Sequence, residues 1–114
     1  MTHYMIHFNQ QWVGDHPEEW YDSRGPLARA VVAQMREAGV LVFAGGLIEE
    51  IDEAVGVDVV DDQPVFLDGP YAPGHEYVGG LTIVDVATED EARMWAGKIA
   101  VACGWPQEMR RIKP

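Results

Sequence analysis

Four histidines and a scatter of carboxylates are the side chains here that could move a proton. His75 stands beside Glu76, and Asp68 lies seven residues earlier, all within Pro64 to Val86, PVFLDGPYAPGHEYVGGLTIVDV. His7 belongs to a different, N-terminal strand. A carboxylate beside an imidazole in a partly closed cleft is the usual acid–base arrangement. Asp68, His7 and His75 are therefore the candidate catalytic residues, with Tyr71, Glu76, Trp12 and Trp20 as candidate substrate contacts. Each has a plainer alternative. Asp before Gly-Pro commonly caps its own turn by accepting backbone N–H bonds. His75 and Glu76 suit a solvated tip or a contact between copies, and His7 suits either a pocket wall or a hydrogen-bonded core position. His16 reads as a surface loop residue.

Other chemistries find less support. His3 and His7 point the same way on one strand, but four residues at about 3.3 Å each separate them by roughly 13 Å, too far to chelate one ion as neighbours. No tight cluster of metal ligands stands elsewhere, so neither a metal nor a cofactor is expected. The glycine pairs at 45–46 and 79–80 do not have the spacing of a phosphate-binding loop. Cys103, near a helix C-terminus, meets the wrong dipole sign for thiolate activation and reads as structural.

The elements that must position these residues follow from periodicity. His3 to Phe8 is a strand with Tyr4, Ile6 and Phe8 on one face and His3, Met5 and His7 on the other. Residues 9 to 24 read as a long connection, either a lid or a flap packed on the core, with Asp15 and Glu18 as a possible capping box for one helical turn. Leu27, Val31, Met35 and Ala38 make one apolar stripe over a helix from Pro26 to Ala38, stopped by Gly39. Val40 to Ala44 is continuously apolar and reads as a strand buried on both faces. Gly45-Gly46 turns the chain, and Glu49 to Glu53 is a solvated acidic tip. Val55, Val57 and Val59 alternate with Gly56 and Asp58 as in a half-buried strand, and Asp61-Asp62 is a turn.

Pro64 to Val86 reads as a hairpin. The apolar run Val65-Phe66-Leu67 is broken by Asp68-Gly69-Pro70, Pro73-Gly74 bends the chain again, and a strand runs from Leu81 to Val86. Gly79-Gly80 at its start marks a bulge or a close approach to the backbone. Thr88 and Glu91 form a capping box that opens a helix to about Ala102, with Ala92, Trp95, Ala96 and Ile99 as its stripe and Gly104 and Pro106 as its stop. A short strand over 107–112 ends the series.

The Asp68-Gly69-Pro70-Tyr71 motif, followed by Glu76, Gly79-Gly80 and a strand ending in Asp85-Val86, resembles the DGPF subgroup of the YCII-related proteins. Tyr71 stands where that pattern has Phe, Pro73 where it has a Glu, and His75 where it has a Lys. The resemblance implies an α+β fold: a ferredoxin-like subunit, two helices on one face of an antiparallel sheet, paired into a dimeric α+β barrel. It implies one domain over residues 1–114. Similar folds host cofactor-free acid–base reactions on small organic molecules, and many such proteins have no assigned activity. A non-catalytic module that binds a small ligand or a protein is the competing expectation.

Composition bounds the partners. The chain of 114 residues carries 19 acidic against 8 basic side chains, a net charge of −11, which disfavours a phosphate-backbone partner. The basic run Arg110-Arg111-Ile112-Lys113 is too short to outweigh that field. No apolar run approaches a membrane span, and the N-terminus lacks the regions of a signal peptide. The single cysteine rules out an internal disulfide and fits a reducing cytoplasm. Two helices cover one sheet face, yet the central strands are apolar at both parities, so a second copy is expected on the other face.

Overall fold

The computed structural model describes residues 1–72 and 74–114. Pro73, where the sequence places the second bend and one departure from the DGPF pattern, lies outside them. The chain runs β1 (Thr2–Asn9), α1 (Glu18–Glu37), β2 (Leu41–Gly46), β3 (Val55–Val60), β4 (Gln63–Asp68), β5 (Val78–Val86), α2 (Glu89–Cys103) and β6 (Glu108–Arg111). Short 3₁₀ turns cover Gln10–Val13 and Ile51–Glu53. Four strands form an antiparallel sheet in the order β2-β5-β1-β6. With β3 and β4 set aside, that order is the one a ferredoxin-like βαββαβ chain gives. Both helices pack on one face: Tyr4 and Ile6 of β1, Val84 and Val86 of β5, Val31 and Met35 of α1, and Trp95 and Ile99 of α2 form the core.

The capping box of α2 forms as its residues require. Glu91 N–H donates to Thr88 Oγ1 at 3.1 Å, and the Glu91 carboxylate accepts from Ala87 N–H at 3.3 Å. Gly104 ends the helix in the left-handed region (φ 72°). Helix α1 differs from its sequence reading. It begins at Glu18 rather than Pro26, with Pro17 at its N-cap and no side-chain cap, so the Asp15–Glu18 box is not formed. Pro26 sits inside the helix, where it costs one backbone bond. Residues 14–17 alone remain as connection between the 3₁₀ turn and α1, so the expected long lid or flap is mostly helix. Its buried stripe keeps Val31 and Met35 but leaves Leu27 and Ala38 exposed, with Ala28 and Val32 taking the inner positions.

The larger corrections concern β2 to β4. Gly45-Gly46 does not turn the chain but completes β2. Strand β4 pairs with β3, not with β5, so the hairpin is Val55 to Asp68 rather than Pro64 to Val86. Its turn is Asp61-Asp62, both with positive φ (50° and 63°), as a type I′ turn requires. The alternation in β3 is also inverted within the chain: Gly56 is buried, while Val57 is 52% and Val59 70% exposed. Phe66, directly opposite Val57, is 69% exposed. Nor is β2 buried on both faces, since Phe43 is half exposed on the helix-free face beside Ile83. The hairpin stands out from the domain: the radius of gyration is 16.1 Å, against about 13 Å expected of a compact chain of this length. No helix is long and apolar enough to cross a membrane among the described residues.

Candidate functional site

The candidate residues fall in three separate places. On the helix-free face of the sheet, His7 lies beside Trp12, with ring centroids 5.7 Å apart. The Trp12 indole N–H donates to the Glu76 carboxylate at 2.8 Å. The 3₁₀ turn that carries Trp12 is tied to the Glu76–Tyr77 stretch by Gln10 N–H to Tyr77 O (2.8 Å) and Tyr77 N–H to Gln11 Oε1 (3.1 Å). His7 Nδ1 is buried with no hydrogen-bond partner among the described residues. His7, Trp12 and Glu76 thus meet across 69 residues of chain, a grouping that strand parity alone could not supply.

Asp68, Gly69 and Tyr71 lie at the base of the β3–β4 hairpin. Gly69 adopts a positive φ of 97° and its N–H donates to Ala54 O at 2.8 Å, while the Tyr71 backbone crosses over Gly56, where a Cβ would come within 3.1 Å. The motif is a backbone device that seats the hairpin. The exposed Asp68 side chain makes no hydrogen bond among the described residues, to a histidine or to its own turn. His75 is likewise exposed and unbonded there. Asp68→Asn is therefore expected to leave the titration of all four histidines unchanged by NMR, and Asp68→Ala to shift stability by no more than about 0.5 kcal/mol. A histidine pKa that falls in Asp68→Asn would restore the dyad.

Trp20 belongs to neither group. Its ring stacks on His16 (3.6 Å between centroids) and fills the space over Gly104, where a Cβ would meet it at 2.5 Å. The Arg24 guanidinium lies 4.9 Å from the Trp20 ring centroid.

Two features escaped the sequence reading. The first is a histidine–carboxylate pair, His3 Nε2 to Asp85 Oδ1 at 3.7 Å, made by direct cross-strand register between β1 and β5. Parity places both on the helix-free face, but only the register joins them. The second is a cavity of about 570 Å³ between α1 and the helix-covered side of the sheet. Phe8, Ala28, Val32, Ile99 and Trp105 give it an apolar wall, and Arg24, Arg29 and Arg36 of α1 line it as well. None of the seven candidate residues lines it. Cys103 does, and burial pushes its thiol above the ordinary value, partly offset by its hydrogen bonds with Trp105 O and Gln107 Nε2. The thiol is therefore protonated at neutral pH, which agrees with a structural reading. Arg29 and Arg36, seven residues apart on one face of the helix expected from Pro26, are the available signal, and Arg24 joins them because α1 begins at Glu18.

No protein-family model matches this sequence, and no curated protein matches it either.

Proposed function

We propose that this chain is a small-ligand-binding protein of the YCII-related, DGPF-like kind, acting as a homodimer of α+β-barrel type. The observation that carries the ligand reading is the 570 Å³ cavity, within the roughly 300–1,000 Å³ typical of small-molecule sites and walled mainly by apolar side chains. The dimer reading is supported by surface. The protomer exposes 7870 Å², about 1,600 Å² more than expected of a monomeric protein of 12.7 kDa. That excess is ample for a stable interface, which takes about 800 Å² from each partner. Phe43, Ile83 and Met5 on the helix-free face, with the apolar side of the hairpin, would meet their copies there. The lone thiol is in keeping with a reducing, cytoplasmic setting.

A second reading, a cofactor-free acid–base enzyme, is favoured by one observation: the orphaned Nδ1 of His7 and the His3–Asp85 pair both lie on the helix-free face. The two readings place the ligand on opposite sides of the sheet. A fragment screen followed by amide NMR separates them. Ligands are expected to shift Gly25, Gly45 and Cys103 around the cavity; hits confined to Met5, His7 and Ile83 would replace the first reading with the second.

A further inference from the structure

We propose that the cavity beneath α1 selects an organic acid, a carboxylate or similar monoanion on an apolar body. This deepens the small-ligand reading and rests on it. The whole chain has 8 basic side chains against 19 acidic ones, yet three of the eight, Arg24, Arg29 and Arg36, line this one cavity. None of the three has an ion-pair partner among the described residues. In so acidic a protein, guanidinium groups left unpaired beside a concave apolar wall are a specific feature, because carboxylates to neutralise them are plentiful.

Arg24 is the most constrained. Its Nε is buried and has no hydrogen-bond partner among the described residues, while its guanidinium is held against the Trp20 ring. A buried donor with no acceptor costs free energy that an incoming anion would recover. Trp20 does not line the cavity; it acts as a positioning residue, fixing where Arg24 points. Arg29 folds back along the helix, its Nη1 lying 3.1 Å from where a Cβ of residue 25 would be. Gly25 leaves this position without a side chain, so the Arg29 guanidinium lies directly over the helix backbone there. Arg24, Gly25 and Arg29 all line the cavity, so a carboxylate seated beside Gly25 has these two guanidiniums as its donors under this proposal.

The rest of the lining fits the other end of such a ligand. Phe8, Val32, Ile99 and Trp105 offer an apolar and aromatic bed. Glu49 is the single carboxylate on the lining among the described residues, so the positive charges keep the majority. Guanidinium forks match planar carboxylates and tolerate partial burial, which suits them better than lysine to this task.

The test uses two isosteric probes on the intact protein, naphthalene-1-acetate and its neutral carboxamide, followed through the amide signals of Gly25, Gly45 and Cys103. The acid is expected to bind at least about tenfold more tightly than the carboxamide, the size of one lost charge-assisted hydrogen bond or more. Arg29→Gln and Arg24→Gln should each weaken the acid by about tenfold while leaving the carboxamide unchanged. Arg24→Lys should recover part of the loss. Arg29 is exposed, so its variant reports even if Arg24→Gln loosens the Trp20 contact and the fold with it. Equal binding of the two probes, indifferent to both arginines, would overturn the anion assignment and leave a small-ligand cavity standing. Failure of both probes to move these signals would overturn the assignment together with the cavity reading.

Discussion

Light scattering at micromolar concentration is expected to give roughly twice the 12.7 kDa protomer mass, and Phe66→Asp to return it to the protomer value. Which way β3 and β4 face decides this outcome. Val55, Val57 and Val59 share one side of the hairpin with Pro64 and Phe66, by the observed register. Every one of them is exposed within the protomer. Two paired strands with an apolar side and no core beneath are marginal in water, so this hairpin needs a surface to lie on. The helix-free sheet face offers one, because Phe43 and Ile83 are also uncovered or half covered. A carboxylate at position 66 would be desolvated in the interface without a partner, at a cost of several kcal/mol per copy, enough to shift a micromolar equilibrium. Phe66 is exposed and is not one of the core residues, so circular dichroism of the variant should stay native. Asp substituted for the equally exposed Val101 on α2, outside this face, should leave the dimer intact. A wild-type monomer, or a dimer indifferent to Phe66→Asp, would remove the hairpin from the interface.

The same hairpin shows where the sequence was legible and where it was not. Alternation in Val55-Gly56-Val57-Asp58-Val59 identifies a strand with an apolar face, and that strand exists. It carries no information on whether the face looks inward or toward another molecule, and here it looks away from the protomer's own core. Likewise Asp61-Asp62 announced a turn, but the proline-rich stretch after Asp68 was the louder signal and drew the pairing to the wrong partner. Helix α2 was readable at both ends because its stop and start are local chemistry, Thr88 with Glu91 and then Gly104. The first two turns of α1 were not, because Gly25-Pro26 is an ordinary break signal. It was overridden by packing: Trp20 is held over Gly104, and Arg24 by Trp20. The candidate site suffered most. His7, Trp12 and Glu76 are brought together by a register and a short 3₁₀ turn. The cavity is built from both helices and three strands, so no single segment contains its pattern.

Gly80→Val is expected to lower the melting temperature by on the order of 10 °C. Register places Gly80 directly across from Phe8, and the Phe8 ring lies over both Gly79 and Gly80. A Cβ at residue 80 would come within 2.7 Å of that ring and 3.2 Å of the Gly45 carbonyl oxygen. Neither neighbour yields easily. The Gly45 oxygen is backbone within β2, and the Phe8 ring is packed against Trp105, 5.0 Å between centroids. Overpacking of this kind costs about 1–3 kcal/mol, and a β-branched side chain stands at the upper end. Gly97→Ala is the control, since a Cβ there has nothing within 4 Å among the described residues and the residue is an exposed helix position. It should gain up to about 1 kcal/mol and raise the melting temperature. The decisive comparison is the double variant. If Phe8 is the obstacle, Gly80→Val should cost much less in a Phe8→Ala background than alone, a coupling of about 1 kcal/mol or more. Because Phe8 also lines the cavity, Gly80→Val should displace its ring and weaken ligand binding in the same step. A Gly80→Val protein that melts like the wild type would mean that the ring gives way freely, and that the glycine pair is not what seats Phe8 against the sheet.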